Sequence, residues 1–159
     1  MAKAILICGR ICCGKSTYAQ KLCREYGAAL LSSDELMLAM FDPYLGDRHE
    51  ECVAKVEKYL YSKAVRFAQA DINVVLDWGF WEKESREKAR KIFSGSGIEC
   101  ELHYLDITES EWKNRIEKRN LEVEKGTADA YYVDRNLTEK CLSRFEMPDE
   151  LEIDVLVKV

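Results

Sequence analysis

The chain has 159 residues, of which 47 % are apolar and 33 % charged, and a formal net charge of −5. That length suits one domain over residues 1–159 with a real core, because a chain of about 150 residues buries roughly 68 to 70 % of its unfolded surface. The apolar content excludes a disordered or fibrous chain, and the acidic balance argues against a basic track for an extended nucleic acid, leaving at most a short nucleic-acid end.

In chain order, the N-terminus carries one lysine, Lys3, then the apolar run Ala4–Cys8. It is too short for a secretion signal and reads as a first strand. This run and Ala28–Leu31 fall far below the ~18 apolar residues of a membrane span, so no membrane partner is expected. Next comes Gly9-Arg10-Ile11-Cys12-Cys13-Gly14-Lys15-Ser16, followed by a helical pattern from Ser16 to Tyr26 that Gly27 closes. This is the GxxxxGK[ST] spacing of a phosphate loop, between the strand and the helix that it requires. Glycines let the backbone curl with its N–H groups inward, and the helix N-terminus adds partial positive charge. Lys15 then reaches the β- and γ-phosphates of ATP and the Ser16 hydroxyl holds Mg²⁺, with Ile11, Cys12, Cys13 and Thr17 completing the cradle.

A second strand, Ala28–Ser32, leads to Asp34. At the carboxyl edge of a parallel sheet this carboxylate would accept a hydroxyl proton, or it would cap a helix from Glu35 to Phe41; spacing leaves both open. His49–Ala70 repeats Val53, Val56, Leu60, Ala64 and Phe67 at helical spacing. The strand Ile72–Leu76 runs into Asp77, a Walker B pattern whose carboxylate holds Mg²⁺ or orients an acceptor. Trp78, Phe80 and Trp81 either line an acceptor pocket or enter the core. Glu82–Phe93 reads as a helix with Arg86 and Arg90 on a solvent face. After the strand Cys100–Leu105, Thr108 caps a helix with Glu111 three residues on. Arg115 and Arg119 share one face of that helix, as catalytic cations or as a salt-bridged surface. Leu151–Val157 is the last strand. Seven scattered cysteines without a CxxC pair read as the reduced thiols of a cytoplasmic protein. Cys52 follows His49 by three residues, but with no second pair no structural metal is expected. Strands alternating with helices call for a parallel sheet covered on both sides.

The chain resembles, nearly end to end, the stand-alone P-loop kinases known as AAA-domain ATP-binding proteins, akin to zeta toxins, chloramphenicol phosphotransferase and polynucleotide kinase. Beyond the loop, the residues that carry the resemblance are Ser32-Ser33-Asp34, Leu76-Asp77-Trp78-Gly79-Phe80-Trp81, Arg115 with Arg119-Asn120, and Phe145-Glu146-Met147-Pro148. The resemblance implies a three-layer α/β P-loop NTPase fold, nucleoside-monophosphate-kinase-like, with a five-stranded parallel sheet of order 2-3-1-4-5. It also implies ATP, Mg²⁺ and a small-molecule hydroxyl acceptor, with Lys15, Asp34, Arg115 and Arg119 in catalysis. A lid over residues 121–137 would close its arginines on the triphosphate, with Arg135 a further candidate. Where such loops read Gly-x-Pro-Gly-Ser-Gly-Lys-Ser, this one has Ile11, Cys12 and Cys13. No Asn-Lys-x-Asp base-reading motif of a GTPase is present. The alternatives are an ATPase or nucleotide-dependent switch that transfers nothing, and a toxin-like kinase of nucleotide sugars. Met37–Glu51 carries no motif that names an acceptor.

Overall fold

The computed structural model describes residues 1–128 and 130–159. Along the chain lie β1 (Lys3–Cys8), α1 (Lys15–Tyr26), β2 (Ala29–Ser32), α2 (Ser33–Met40), a 3-10 turn (Gly46–Arg48) and α3 (His49–Gln69). They are followed by β3 (Val74–Gly79), α4 (Lys83–Gly95), β4 (Glu99–Asp106), α5 (Glu109–Glu124), α6 (Arg135–Arg144) and β5 (Val155–Lys158). Every strand pairs parallel with its neighbour, in the order β2-β3-β1-β4-β5. This is the order that the resemblance implied.

The central strand β1 is apolar almost without break because both faces of a parallel sheet are covered. Its side chains alternate: Ala4, Leu6 and Cys8 enter a core with Val56, Leu60 and Ala64 of α3. Ile5 and Ile7 pack on the other face with Ala19 and Leu22 of α1 and Trp112 of α5. Each fully buried Leu or Ile contributes about 1.5 to 3 kcal/mol, so the two apolar layers fix where the carboxyl ends of β1 and β3 meet.

Several boundaries differ from the sequence reading, each for a physical reason. β3 runs past Leu76 to Gly79, carrying Asp77 and Trp78 inside the strand. The helix expected at Glu35–Phe41 is Ser33–Met40, and its cap is Ser32, whose Oγ accepts from the Glu35 N–H at 3.2 Å. Asp34 is therefore not the cap. Arg86 is not on a solvent face: it is 1 % exposed, pairs with Glu152 at 3.0 Å, and donates to the carbonyls of Phe80, Trp81 and Glu146. Arg90 likewise donates to the Cys100 and Glu152 carbonyls and to Asp154. The segment before β5 is thus a turn rather than strand, since its carboxylates serve α4. Burial would push the Glu152 carboxyl up, but the hydrogen bonds from Arg86 and the Asp149 N–H outweigh it and hold it below its ordinary value. Helix α6, which no expectation covered, is capped by Asp134, whose Oδ1 accepts from the Leu137 N–H at 2.7 Å.

Candidate active site

β1 ends at Cys8 and the chain curls through residues 9–14 into α1. A Cβ at Gly9 would stand 2.5 Å from Cys13 Sγ, and Gly14, at φ +99°, leaves room for Arg115 Nη1, which would lie 2.8 Å from a Cβ there. Cys12 adopts φ 60° where related loops carry glycine, a conformation that costs an L-residue roughly 1 to 2 kcal/mol. The curl is held from outside: the Ile11 carbonyl accepts from Trp112 Nε1 at 2.6 Å, and the Gly9 N–H donates to the Gly79 carbonyl at 3.2 Å. α1 begins with no side-chain cap and no acidic residue in its first turn, so its leading N–H groups are left for an anion.

Around this loop the structure gathers most of the expected side chains. Lys15 Nζ donates to the carbonyls of Gly9 at 3.2 Å and Arg10 at 2.7 Å. Ser16 Oγ donates to Asp77 Oδ2 at 2.9 Å, joining the phosphate loop to the end of β3. Thr17 lies beside them on the groove wall. Asp77 is 5 % exposed. Its burial pushes the carboxyl up, the Ser16 hydroxyl and Lys15 oppose that shift, and Asp34 and Glu35 reinforce it. A hydroxyl and a buried carboxylate are the hard oxygen donors that Mg²⁺ prefers, so these two residues fit the metal.

Arg115 Nη1 donates to the Cys13 carbonyl at 2.8 Å while its Nε pairs with Glu111 at 2.9 Å. One turn later, Arg119 Nη1 donates to Cys12 Sγ at 3.2 Å. Both arginines therefore sit at the mouth of the loop, and Arg115 is also the salt-bridged residue that the alternative reading described. Arg135 is not brought there; its side chain is 90 % exposed and paired with Glu139. The expected lid spans the last turn of α5, a connecting loop that includes Asp129 outside the described residues, and the start of α6. Asn120 clasps that loop through the Val133 N–H at 2.8 Å and carbonyl at 2.7 Å, and Tyr131 meets His49 edge-on.

From the loop a groove of about 1420 Å³ continues past Asp34 to α2, α3 and α6. Of the three aromatic residues after Asp77, Phe80 is core at 1 % exposure, while Trp78 stacks on Phe80 and faces the groove with Trp81. Sequence reasoning missed Glu57, Lys140 and Arg144 on the groove wall. The spacing of His49, Val53 and Glu57 along α3 was the one signal that placed Glu57 on a shared face.

Over residues 5–148 the chain matches the model of a family described as AAA domain, and it belongs to that family. A search of curated proteins finds no match. Among solved structures, the APS kinase CysC of Mycobacterium tuberculosis, in complex with AMPPNP and APS, is 20 % identical with a TM-score of 0.68, covering 99 % of this chain and 88 % of that one. Kti12 of Chaetomium thermophilum, in complex with ADP-AlF3, is 17 % identical with a TM-score of 0.72, covering 98 % and 88 %. A gluconokinase of Sinorhizobium meliloti 1021 is 20 % identical with a TM-score of 0.62, covering 99 % and 82 %. The shared feature is the P-loop kinase fold.

Proposed function

We propose that the protein is a phosphotransferase that moves the γ-phosphate of ATP to a hydroxyl of a small-molecule acceptor. The observation that carries this reading is the single groove with two ends, one at the phosphate loop and one beyond Asp34 with room for a second substrate. The solved APS kinase holds a nucleotide analogue and an acceptor together, which supports the same use of this fold. The loop amides and Lys15 hold the triphosphate; Arg115 and Arg119, already at the loop mouth, offset charge that develops on the transferred group. Ser16 and Asp77 would hold Mg²⁺, which would supply positive charge to neutralise the phosphates. Asp34, exposed at the groove wall and free of capping duty, accepts the proton of the attacking hydroxyl. The segment 121–137 serves as the lid that excludes water. No helix among the described residues is long and apolar enough to cross a membrane, and seven cysteines without a disulfide suit a cytoplasmic protein.

The direct test is calorimetric titration of Mg·ATP into the parent and Lys15→Ala. Loss of a charge-assisted phosphate contact is expected to weaken binding about 10- to 100-fold, with the melting temperature preserved. Equal affinity in the two proteins removes the phosphate-loop assignment.

A further inference from the structure

The groove is uneven in charge. Lys15, Arg115, Lys118 and Arg119 gather at the phosphate-loop end, with Asp77 and Glu122 among them, whereas Asp34, Glu35, Glu57 and Glu82 line the far end. Two cations do reach that far end from α6, but both are engaged. Arg144 pairs with Glu82 at 2.6 Å and with Glu50 at 3.7 Å, and Lys140 pairs with Glu50 at 3.5 Å. Glu57, half-buried on α3, has no ion pair or hydrogen bond to any of the described residues. Burial pushes its carboxyl up, Lys88 and Arg144 oppose this, and Asp34 and Glu82 add to it. The aromatic side chains of Tyr44, Trp78 and Tyr131 line the same groove, Trp78 stacking on Phe80.

These features select against an anionic acceptor and for a cationic one. A phosphate or carboxylate placed here would face Asp34, Glu35, Glu57 and Glu82, with Arg144 and Lys140 already paired and only partial compensation from Lys88 near Glu57, an arrangement that disfavours such ligands by repulsion. A protonated amine would meet the unpaired Glu57 carboxylate in a groove that Tyr44, Trp78 and Tyr131 also line, where charge pairing and cation–π attraction can add. A neutral polyol would gain the aromatic contacts only.

We propose that the acceptor is a hydroxyl compound bearing a protonated amine, of the amino-sugar or amino-alcohol class, and that Glu57 is the residue that selects the amine. The acceptor's hydroxyl then points to Asp34 and its ammonium to Glu57. This proposal rests on the phosphotransferase reading of the same groove.

The test uses the full chain with AMP-PNP and Mg²⁺ and two matched sets of probes: glucosamine, glucose and glucose phosphate, and aminopropanediol, glycerol and glycerol phosphate. Calorimetric affinities are measured with and without the nucleotide analogue. In at least one set the amine is expected to bind about 10- to 100-fold tighter than the neutral compound, as a charge-assisted contact allows, with the phosphate weakest. Glu57→Gln is expected to erase the amine's advantage while AMP-PNP affinity stays at the parent value. The proposal is overturned by equal affinities, by tighter binding of the phosphates, by no binding in either set, or by an amine preference that survives in Glu57→Gln. The titration with AMP-PNP alone reports separately on the phosphotransferase reading, because its failure leaves the acceptor ranking measurable on the protein without nucleotide.

Discussion

At the scale of single residues, Cys12 and Cys13 share a loop but differ in chemistry. Cys13 is fully buried, and burial pushes its thiol up despite the opposing charge of Lys15. A buried, protonated thiol is inert. Cys12 is partly exposed at the groove, beside Arg119, in a left-handed conformation that only glycine adopts freely. Cys12→Gly is therefore expected to raise stability in urea unfolding by up to about 1 kcal/mol, the strain of the conformation less the added freedom of the unfolded chain. Iodoacetamide is expected to modify Cys12 ahead of Cys13, with saturating ATP slowing the reaction; equal rates with and without ATP would place Cys12 outside the cradle. The sequence made the two cysteines look alike because the curl that separates neighbouring side chains is a property of the folded loop. It left Asp34 ambiguous for a different reason, since Ser32, Ser33 and Asp34 are all good caps and only the backbone path selects Ser32.

At the scale of elements, the clamp between α4 and the turn before β5 fixes the sheet's far edge to the end of β3. Arg86 ties Glu152 to the carbonyls of Phe80, Trp81 and Glu146, so it joins the end of β3 and the start of α4 to a stretch 60 to 66 residues further on. Its burial was readable in principle: Arg86, Ala89 and Phe93 fall on one helical face, and the latter two are core. Charge type outweighed position in the sequence reading. Removing one partner of a buried pair leaves the other charge uncompensated, so Glu152→Gln is expected to cost about 3 kcal/mol at neutral pH. Glu152 and Asp154 are both held below their ordinary values. Their contribution is present above the unfolded carboxyl value and is lost as pH falls through the folded one. The parent's melting temperature should thus fall on acidification below about pH 4, and more steeply than that of Glu152→Gln; parallel curves would remove Glu152 from the acid response. Helix α6 was not readable, because Arg135–Arg144 buries only Cys141.

At the scale of the molecule, strand order brings the carboxyl ends of β1 and β3 side by side, so that Ser16 and Asp77, 61 residues apart, share a hydrogen bond. The phosphate end of the site was legible because its residues are contiguous and their spacing has one physical use. The acceptor end was not, since Tyr44, Glu57, Glu82 and Arg144 come from four separate segments and converge only when α2 and α3 pack over β3 and Arg144 of α6 pairs with Glu50 and Glu82. The central claim, transfer across one groove, is tested most directly by following radiolabelled γ-phosphate from ATP to the amine and polyol probes in the parent and in Asp34→Asn. Label should move to an acceptor, and Asp34→Asn should slow transfer about 10² to 10⁴-fold, the worth of a general base, with ATP affinity unchanged. Release of phosphate to water at one rate, with or without acceptor and in both proteins, would contradict it.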